Sequence, residues 1–408
     1  MSRSVVYLHV GAPKTGTTYL QGILWKNRKE LASRGVFVPG RNHVDHFRAG
    51  FDLRGVEKDP RDPRKDWQGA WGEIARKIKN SKREIAVVSD ERLAACTPEE
   101  VRRAVDSLAP AEVHVIYVTR DPAGLLSAEW QEHIKHGDKR AFDAWLDNTL
   151  NPKGHEWYWK VHGVGDVLRR WGTSVPNDRL HLLTLPRRGS DPELLWQRFC
   201  SVLGISPDDV DTEGRANVSL GVEGAELLRR VNEVMPDEFP RWHRIGVTRE
   251  MLAHRILAPR AQKTSIGVPE RLADKVDQYT EQLIVDIKNS GCDVVGDLDE
   301  LNAGPVKGGG VPDELDVTSA AVDGVAGLVV QIGKLRDELR EARSELADER
   351  ERRKIKERMA ARAWGLLQEH RKLPPKERVK RCVVELGDQS RMVGSALKVY
   401  RKVHPNKD

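Results

Sequence analysis

The strongest constraint on how this chain folds lies in its first twenty residues, where VVYLHV runs into GAPKTGTTYL. The apolar, β-branched run Val5 to Val10 suits a buried strand, and a helical pattern covers Tyr19 to Leu31. Gly11 and Gly16 bracket the turn between them. A strand, a glycine turn and a helix N-terminus together make an anion cradle. Turn N–H groups and the positive end of the helix face one point. Gly11 to Thr18 nearly spell the phosphate loop G-x-x-x-x-G-K-[ST]. Both glycines fit, and Thr17-Thr18 stand where the Lys-Ser/Thr pair belongs. The lysine has moved forward to Lys14, two residues ahead of Gly16.

The same alternation continues along the chain. IAVVS (85–89), VHVIYVT (113–119) and LHLLTL (180–185) are short continuous apolar runs, the pattern of a parallel sheet covered on both faces. Helical patterns separate them. One is opened by Asp191-Pro192 and stopped by Gly204, and another follows Pro269 with Leu272, Val276, Leu283 and Ile287. Residues 1–302 therefore read as one α/β domain, a doubly wound parallel sheet with helices on both faces and right-handed crossovers. Segment 40–70, rich in Arg, Asp, His and Gly and without a clear period, reads as a long functional loop or lid.

Gly and Pro mark 303–317 as a flexible linker. Val325, Leu328, Ile332, Leu335, Leu339, Ala342 and Leu346 then fall on alternating three- and four-residue steps. That seam predicts a coiled-coil segment within a charged helix at 318–372, and a homo-oligomer through 325–346. Beyond Glu349 the heptad fails, and Pro374-Pro375 closes the helix before a basic tail at 373–408. The net charge of +6 belongs to this end. Residues 351–408 carry 17 Lys and Arg against 7 Asp and Glu, which leaves −4 on the first 350. Such a tail suits anionic lipid head groups, glycans or nucleic acid.

No run approaches the roughly 18 apolar residues that span a bilayer, and the N-terminus lacks the apolar core of a signal peptide. Four scattered cysteines (Cys96, Cys200, Cys292, Cys382) form no C-x-x-C pair, which argues against a zinc site or a disulfide framework. The expected location is a reducing cytoplasm, with the tail allowing peripheral membrane contact.

GAPKTGTT resembles the phosphosulfate loop P-K-[ST]-G-[ST]-[ST] of the sulfotransferases that use 3′-phosphoadenosine-5′-phosphosulfate (PAPS), a family with a P-loop-like fold. The resemblance covers roughly residues 3–302. It implies that Pro13, Lys14, Thr15, Gly16, Thr17 and Thr18 form the donor loop, with Lys14 on the oxygen that bridges the 5′-phosphate and the sulfuryl group. Arg120 at a strand end and Ser127 in the following helix can converge on one phosphate, Arg as a fork and Ser as a short donor. In the family the matching pair grips the 3′-phosphate. No metal is expected, because Lys14 neutralises the developing charge.

Sulfuryl transfer to a hydroxyl needs a base. Glu91, at the end of strand 85–89, is the first candidate, followed by Asp90; His46, in the segment GRNHVDHF, is a further one, and His43 stands beside it. Arg215 or Asn217, in an Asn-x-Ser-Leu element like that of bacterial sulfotransferases, is placed by the resemblance near the 3′ side, and Ser219 reads as a helix cap. The acceptor stays open between a carbohydrate, a glycolipid and a small metabolite. Trp67, Trp71, Trp130, Trp145, Trp157 and Trp159 suit either sugar stacking or the core. Two other classes fit parts of the chain. Asp90-Glu91 after four apolar residues also looks like the Walker B element of an ATP-Mg kinase or ATPase. The coiled coil and tail alone would suit a non-catalytic assembly protein.

Overall fold

The computed structural model describes residues 4–57, 66–151, 153–213, 219–238, 244–261, 263–302 and 315–372, with Pro374, Lys376 and Glu377. They fall into two compact units, within Met1–Leu328 and Val329–Asp408. β1 (Val5–Gly11) leads into α1 (Thr17–Lys26), α2 (Arg28–Ser33) and the short β2 (Val36–Phe37). α3 (His43–Leu53) and α4 (Ala70–Lys79) precede β3 (Ile85–Ser89). A 3₁₀ turn (Glu91–Ala95) and α5 (Pro98–Leu108) lead to β4 (Glu112–Thr119). Next come α6 (Pro122–Lys135), α7 (Phe142–Leu150), α8 (Glu156–His162) and α9 (Val164–Trp171). β5 (Leu180–Thr184), α10 (Leu194–Leu203) and α11 (Gly221–Val234) follow. A π-helix (Arg244–Leu257), α12 (Ala273–Ser290), β6 (Asp293–Val295) and α13 (Thr318–Lys372) complete the order.

The six strands form one sheet, all parallel, in the order β2-β3-β1-β4-β5-β6. Adjacent residues of a strand point to opposite faces, and here both faces are buried. Val6, Leu8, Val10, Val113, Val115 and Tyr117 pack with α4, α5 and α9 residues, among them Ile74, Val101, Leu108 and Trp171. Tyr7, Val87, Ile116, Val118 and Leu183 pack with Leu20, Leu24, Trp196 and Phe199 of α1 and α10. This is why these strands read as continuous apolar runs and not as alternating ones. A third cluster, with Trp130, Trp145, Leu228 and Leu257, joins α6, α7, α11 and the π-helix. β1 lies between β3 and β4, so the strand order reverses beside it. The crevice at its carboxyl end is a topological switch point, where open α/β sheets hold ligands.

Several expectations are corrected. The helix expected over Tyr19 to Leu31 is two helices. Asn27 sits between them, with its side-chain amide donating to Ile23 O at 2.9 Å and to Asp211 O at 2.9 Å. The segment 40–70 is not irregular throughout, for α3 lies in it; residues 58–65 are outside the described set. Asn42 caps α3 by accepting the Val44 N–H at 3.1 Å. The face that α3 buries includes Asp45 and His46 beside Ala49, Gly50 and Leu53. Polar residues on the inner face hid the period. Ser219 does more than cap α11: its hydroxyl accepts the N–H of Gly221, the first residue of α11, at 3.1 Å and donates to Gln131 Oε1 at 2.9 Å. Among the described residues no helix is long and apolar enough to cross a membrane.

Candidate active site

The loop after β1 is held by its own chain. The Ala12 N–H donates to Val118 O of β4 at 3.0 Å, and Thr15 Oγ1 donates back to Ala12 O at 2.7 Å. Lys14 adopts φ +60°, a left-handed conformation that costs a lysine free energy and tends to mark ligand clamps. Gly16 follows at φ +91°, and a Cβ there would lie 2.5 Å from Leu195 Cδ2, so the loop rests on α10 without space for a side chain. α1 begins immediately after with no side-chain cap. At its start the Tyr19 and Leu20 N–H groups both donate to Gly16 O, at 3.0 and 3.1 Å. Pro13 is half-buried in the loop, while Thr18 is exposed on the first turn of α1.

Each cation assigned to the donor already holds a carboxylate. Lys14 Nζ lies 2.6 Å from Glu132 Oε2 on α6. Glu132 is also approached by His136 at 3.2 Å, Arg249 at 3.4 Å and Lys135 at 3.6 Å. Burial alone would push this carboxyl up. The His136 hydrogen bond and the charges of Lys14 and Lys135 outweigh it and hold Glu132 well below the usual carboxylate range. Arg120 donates through Nε and Nη2 to Asp121 Oδ2 at 3.2 and 3.0 Å, and through Nη1 to the Lys14 carbonyl at 3.4 Å. Asp121 in turn caps α6, accepting from the Gly124 N–H. Ser127 is buried, its hydroxyl 3.1 Å from both Ala123 O and Ile266 O. Arg120 is thus brought to the lysine loop, whereas the Ser127 hydroxyl is committed to backbone carbonyls.

On the β3 side, Thr17 Oγ1 donates to Glu91 Oε2 at 2.6 Å. Gly11 makes room for this approach: a Cβ there would lie 3.3 Å from both Glu91 O and Ala94 Cβ. Burial raises the Glu91 pKa; the Thr17 hydrogen bond pulls the other way, as does the charge of Lys14, while Asp90 adds to the rise. Asp90 is buried and caps the 3₁₀ turn, accepting from the Arg92 N–H at 3.0 Å and from Arg92 Nε at 2.7 Å. His46 is buried with both ring nitrogens in use. Nε2 is 2.7 Å from Pro39 O, and Nδ1 accepts the Ser89 N–H at 3.2 Å. One neutral tautomer satisfies both contacts, and burial lowers its pKa to about 4. His43 is exposed at the start of α3.

Glu129 and Glu132 stand one turn apart on α6 and were missed in the sequence, where they look like ordinary helix surface. The available signal was position: both lie on the helix that opens at Arg120, and three residues is one turn. Lys135 and Arg249 were missed for the same reason. Trp67, Trp71, Trp130 and Trp145 are core residues, while Trp157 is 40% exposed. Trp159 lines a cavity of about 850 Å³ with Lys160, Tyr279 and Gln282. The loop residues do not line that cavity. Arg215 and Asn217 lie outside the described residues. Among the described residues no group of three or more His, Cys, Asp or Glu side chains is placed to hold a metal ion.

No family model matches the chain, and no curated protein matches it. Two solved structures are similar to it. One is a sulfotransferase from Alicyclobacillus acidocaldarius, 18% identical, with a TM-score of 0.34 over 52% of this chain and 85% of that one. The other is the sulfotransferase domain from the curacin biosynthetic pathway, 12% identical, with a TM-score of 0.30 over 60% of this chain and 97% of that one.

Proposed function

We propose that residues 1–302 transfer a sulfuryl group from PAPS to an acceptor hydroxyl. One observation carries this reading. Lys14 and Arg120, 106 residues apart in sequence, meet at the carboxyl ends of β1 and β4, with Arg120 Nη1 3.4 Å from the Lys14 carbonyl. A lysine ahead of the second glycine and an arginine at the next strand end form a cation pair suited to two separate phosphate groups. A triphosphate would call for a lysine at Thr17.

The residues present fit such a donor. Lys14, Thr15, Gly16, Thr17 and Thr18 would hold its 5′-phosphosulfate through the loop and the uncapped end of α1, and Arg120 would hold its 3′-phosphate. Bound there, the donor supplies the sulfuryl group and an adenosine bisphosphate leaving group. Lys14 stabilises charge gathering on the leaving phosphate oxygen, a contribution of about 3–4 kcal/mol for a single well-placed donor. Glu91 takes the acceptor proton, its raised pKa bringing it closer to neutral pH, as a general base requires. Thr17 orients that carboxylate through its 2.6 Å hydrogen bond. His46 braces the end of β3 and is too enclosed to reach an acceptor. The acceptor is a carbohydrate, glycolipid or small-metabolite hydroxyl.

The ATP-Mg reading is less favoured, because the Asp90 carboxylate is taken up by the Arg92 N–H and guanidinium. Titration with 3′,5′-adenosine bisphosphate and with ATP separates the two. Tight, magnesium-independent binding of the bisphosphate supports sulfuryl transfer; magnesium-dependent ATP binding with none of the bisphosphate overturns it.

A further inference from the structure

The second unit carries an apolar helix face that is exposed among the described residues. From Val329 onward α13 exposes Ile332 (54%), Leu335 (48%), Leu339 (50%) and Leu346 (47%). With Ala342 these occupy alternating a and d positions of two and a half heptads: Ile332, Leu339 and Leu346 at a, Leu335 and Ala342 at d. The flanks decide what covers the face. Positions g hold Gln331, Glu338 and Glu345, and positions e hold Arg336, Arg343 and Arg350. Every flanking charge on one side of the seam is acidic, and every one on the other side is basic.

From these flanks we infer that α13 pairs with a second copy of itself as a parallel, in-register, two-stranded coiled coil. In that arrangement the g residue of one helix faces the e residue of the next heptad on its partner. Glu338 then meets Arg343 of the other copy and Glu345 meets Arg350, each pairing occurring twice by symmetry. An antiparallel pair would set g against g and e against e, glutamate on glutamate and arginine on arginine. Like charges so placed are destabilising. The β-branched Ile332 at a, followed by Leu335 at d, favours two strands over three or four. The five charged residues named are also unspent. Among the described residues of α13 from Val329 onward, the ion pairs are Arg340–Asp337, Arg353–Glu357 and Lys354–Glu351, and none involves Glu338, Glu345, Arg336, Arg343 or Arg350. The pairing ends where Glu349 and Arg353 take up d and a positions.

The test uses the full chain. Light scattering or sedimentation at roughly 100 µM, where a weak seam associates, should give twice the 46.0 kDa chain mass. Glu338→Arg/Glu345→Arg should return the mass to that of one chain, as should Arg343→Glu/Arg350→Glu. An equimolar mixture of the two variants should restore the doubled mass. Orientation is read by Leu335→Cys in a Cys382→Ser background, which should cross-link to itself under mild oxidation. A monomeric wild type, a three- or four-chain mass, or charge variants that associate as the wild type does would each overturn the inference. Cross-linking of Leu335→Cys only to a cysteine placed at Leu346 would show the antiparallel pair instead.

Discussion

At the residue scale the site is a set of cations each held by a carboxylate of the same chain. Glu132 competes with any anionic donor for Lys14. Glu132→Gln should therefore tighten binding of 3′,5′-adenosine bisphosphate, by about tenfold or less for a partly exposed ion pair. Calorimetric titration checks this, and weaker binding would instead assign Glu132 the task of positioning Lys14. Glu91→Gln should lower kcat by about 10²–10⁴-fold, the range for loss of a general base. Because burial raises the Glu91 pKa, the acid limb of the wild-type rate profile should lie above the ordinary carboxylate value of about 4.3. In Glu91→Gln that limb should be absent. That Arg120 would come to the Lys14 loop and Glu91 to its Thr17 was legible, because strand-end motifs point at one place. Glu132 was not, because an acidic residue on a helix shows no direction until the helix is docked.

At the scale of elements, β1, β3, β4 and β5 were legible as unbroken apolar runs, since both faces of the sheet are covered. β2 and β6, of two and three residues, are too short to leave a pattern. α3 was lost because Asp45 and His46 face inward and break the apolar period. The loop itself depends on backbone shape. Gly16→Ala would force a Cβ into φ +91° and against Leu195, so it should destabilise the fold by about 1–3 kcal/mol. It should also weaken bisphosphate binding. Chemical denaturation beside titration reads both, and a variant with wild-type values in each would show that the loop does not need its glycine.

For the whole molecule, two buried histidines set an acid limit. His9 and His46 have pKa values lowered to about 4, with burial the main cause. Unfolded, each binds a proton below about 6.5, so the unfolded chain holds more protons between pH 6.5 and 4. Stability from these groups is then full above pH 6.5 and is lost as pH falls toward 4, roughly 3 kcal/mol for each. Urea midpoints across that range should fall, and His46→Gln should flatten the slope. The first part of α13 belongs to the body: Ala320 is buried and Leu328 packs on the third cluster. Truncation after Leu328 should leave transfer activity near wild type, whereas the inferred pairing should vanish.

The central claim is that Lys14 and its loop serve a sulfuryl donor. Incubation with isotope-labelled PAPS and a panel of hydroxyl acceptors, read by mass, tests it directly. The wild type should add one labelled sulfuryl group to an acceptor without added magnesium, and Lys14→Ala should fold normally yet lose about 10²–10³-fold in rate. Near-normal transfer by Lys14→Ala, or phosphoryl transfer from ATP in place of sulfuryl transfer, would contradict it.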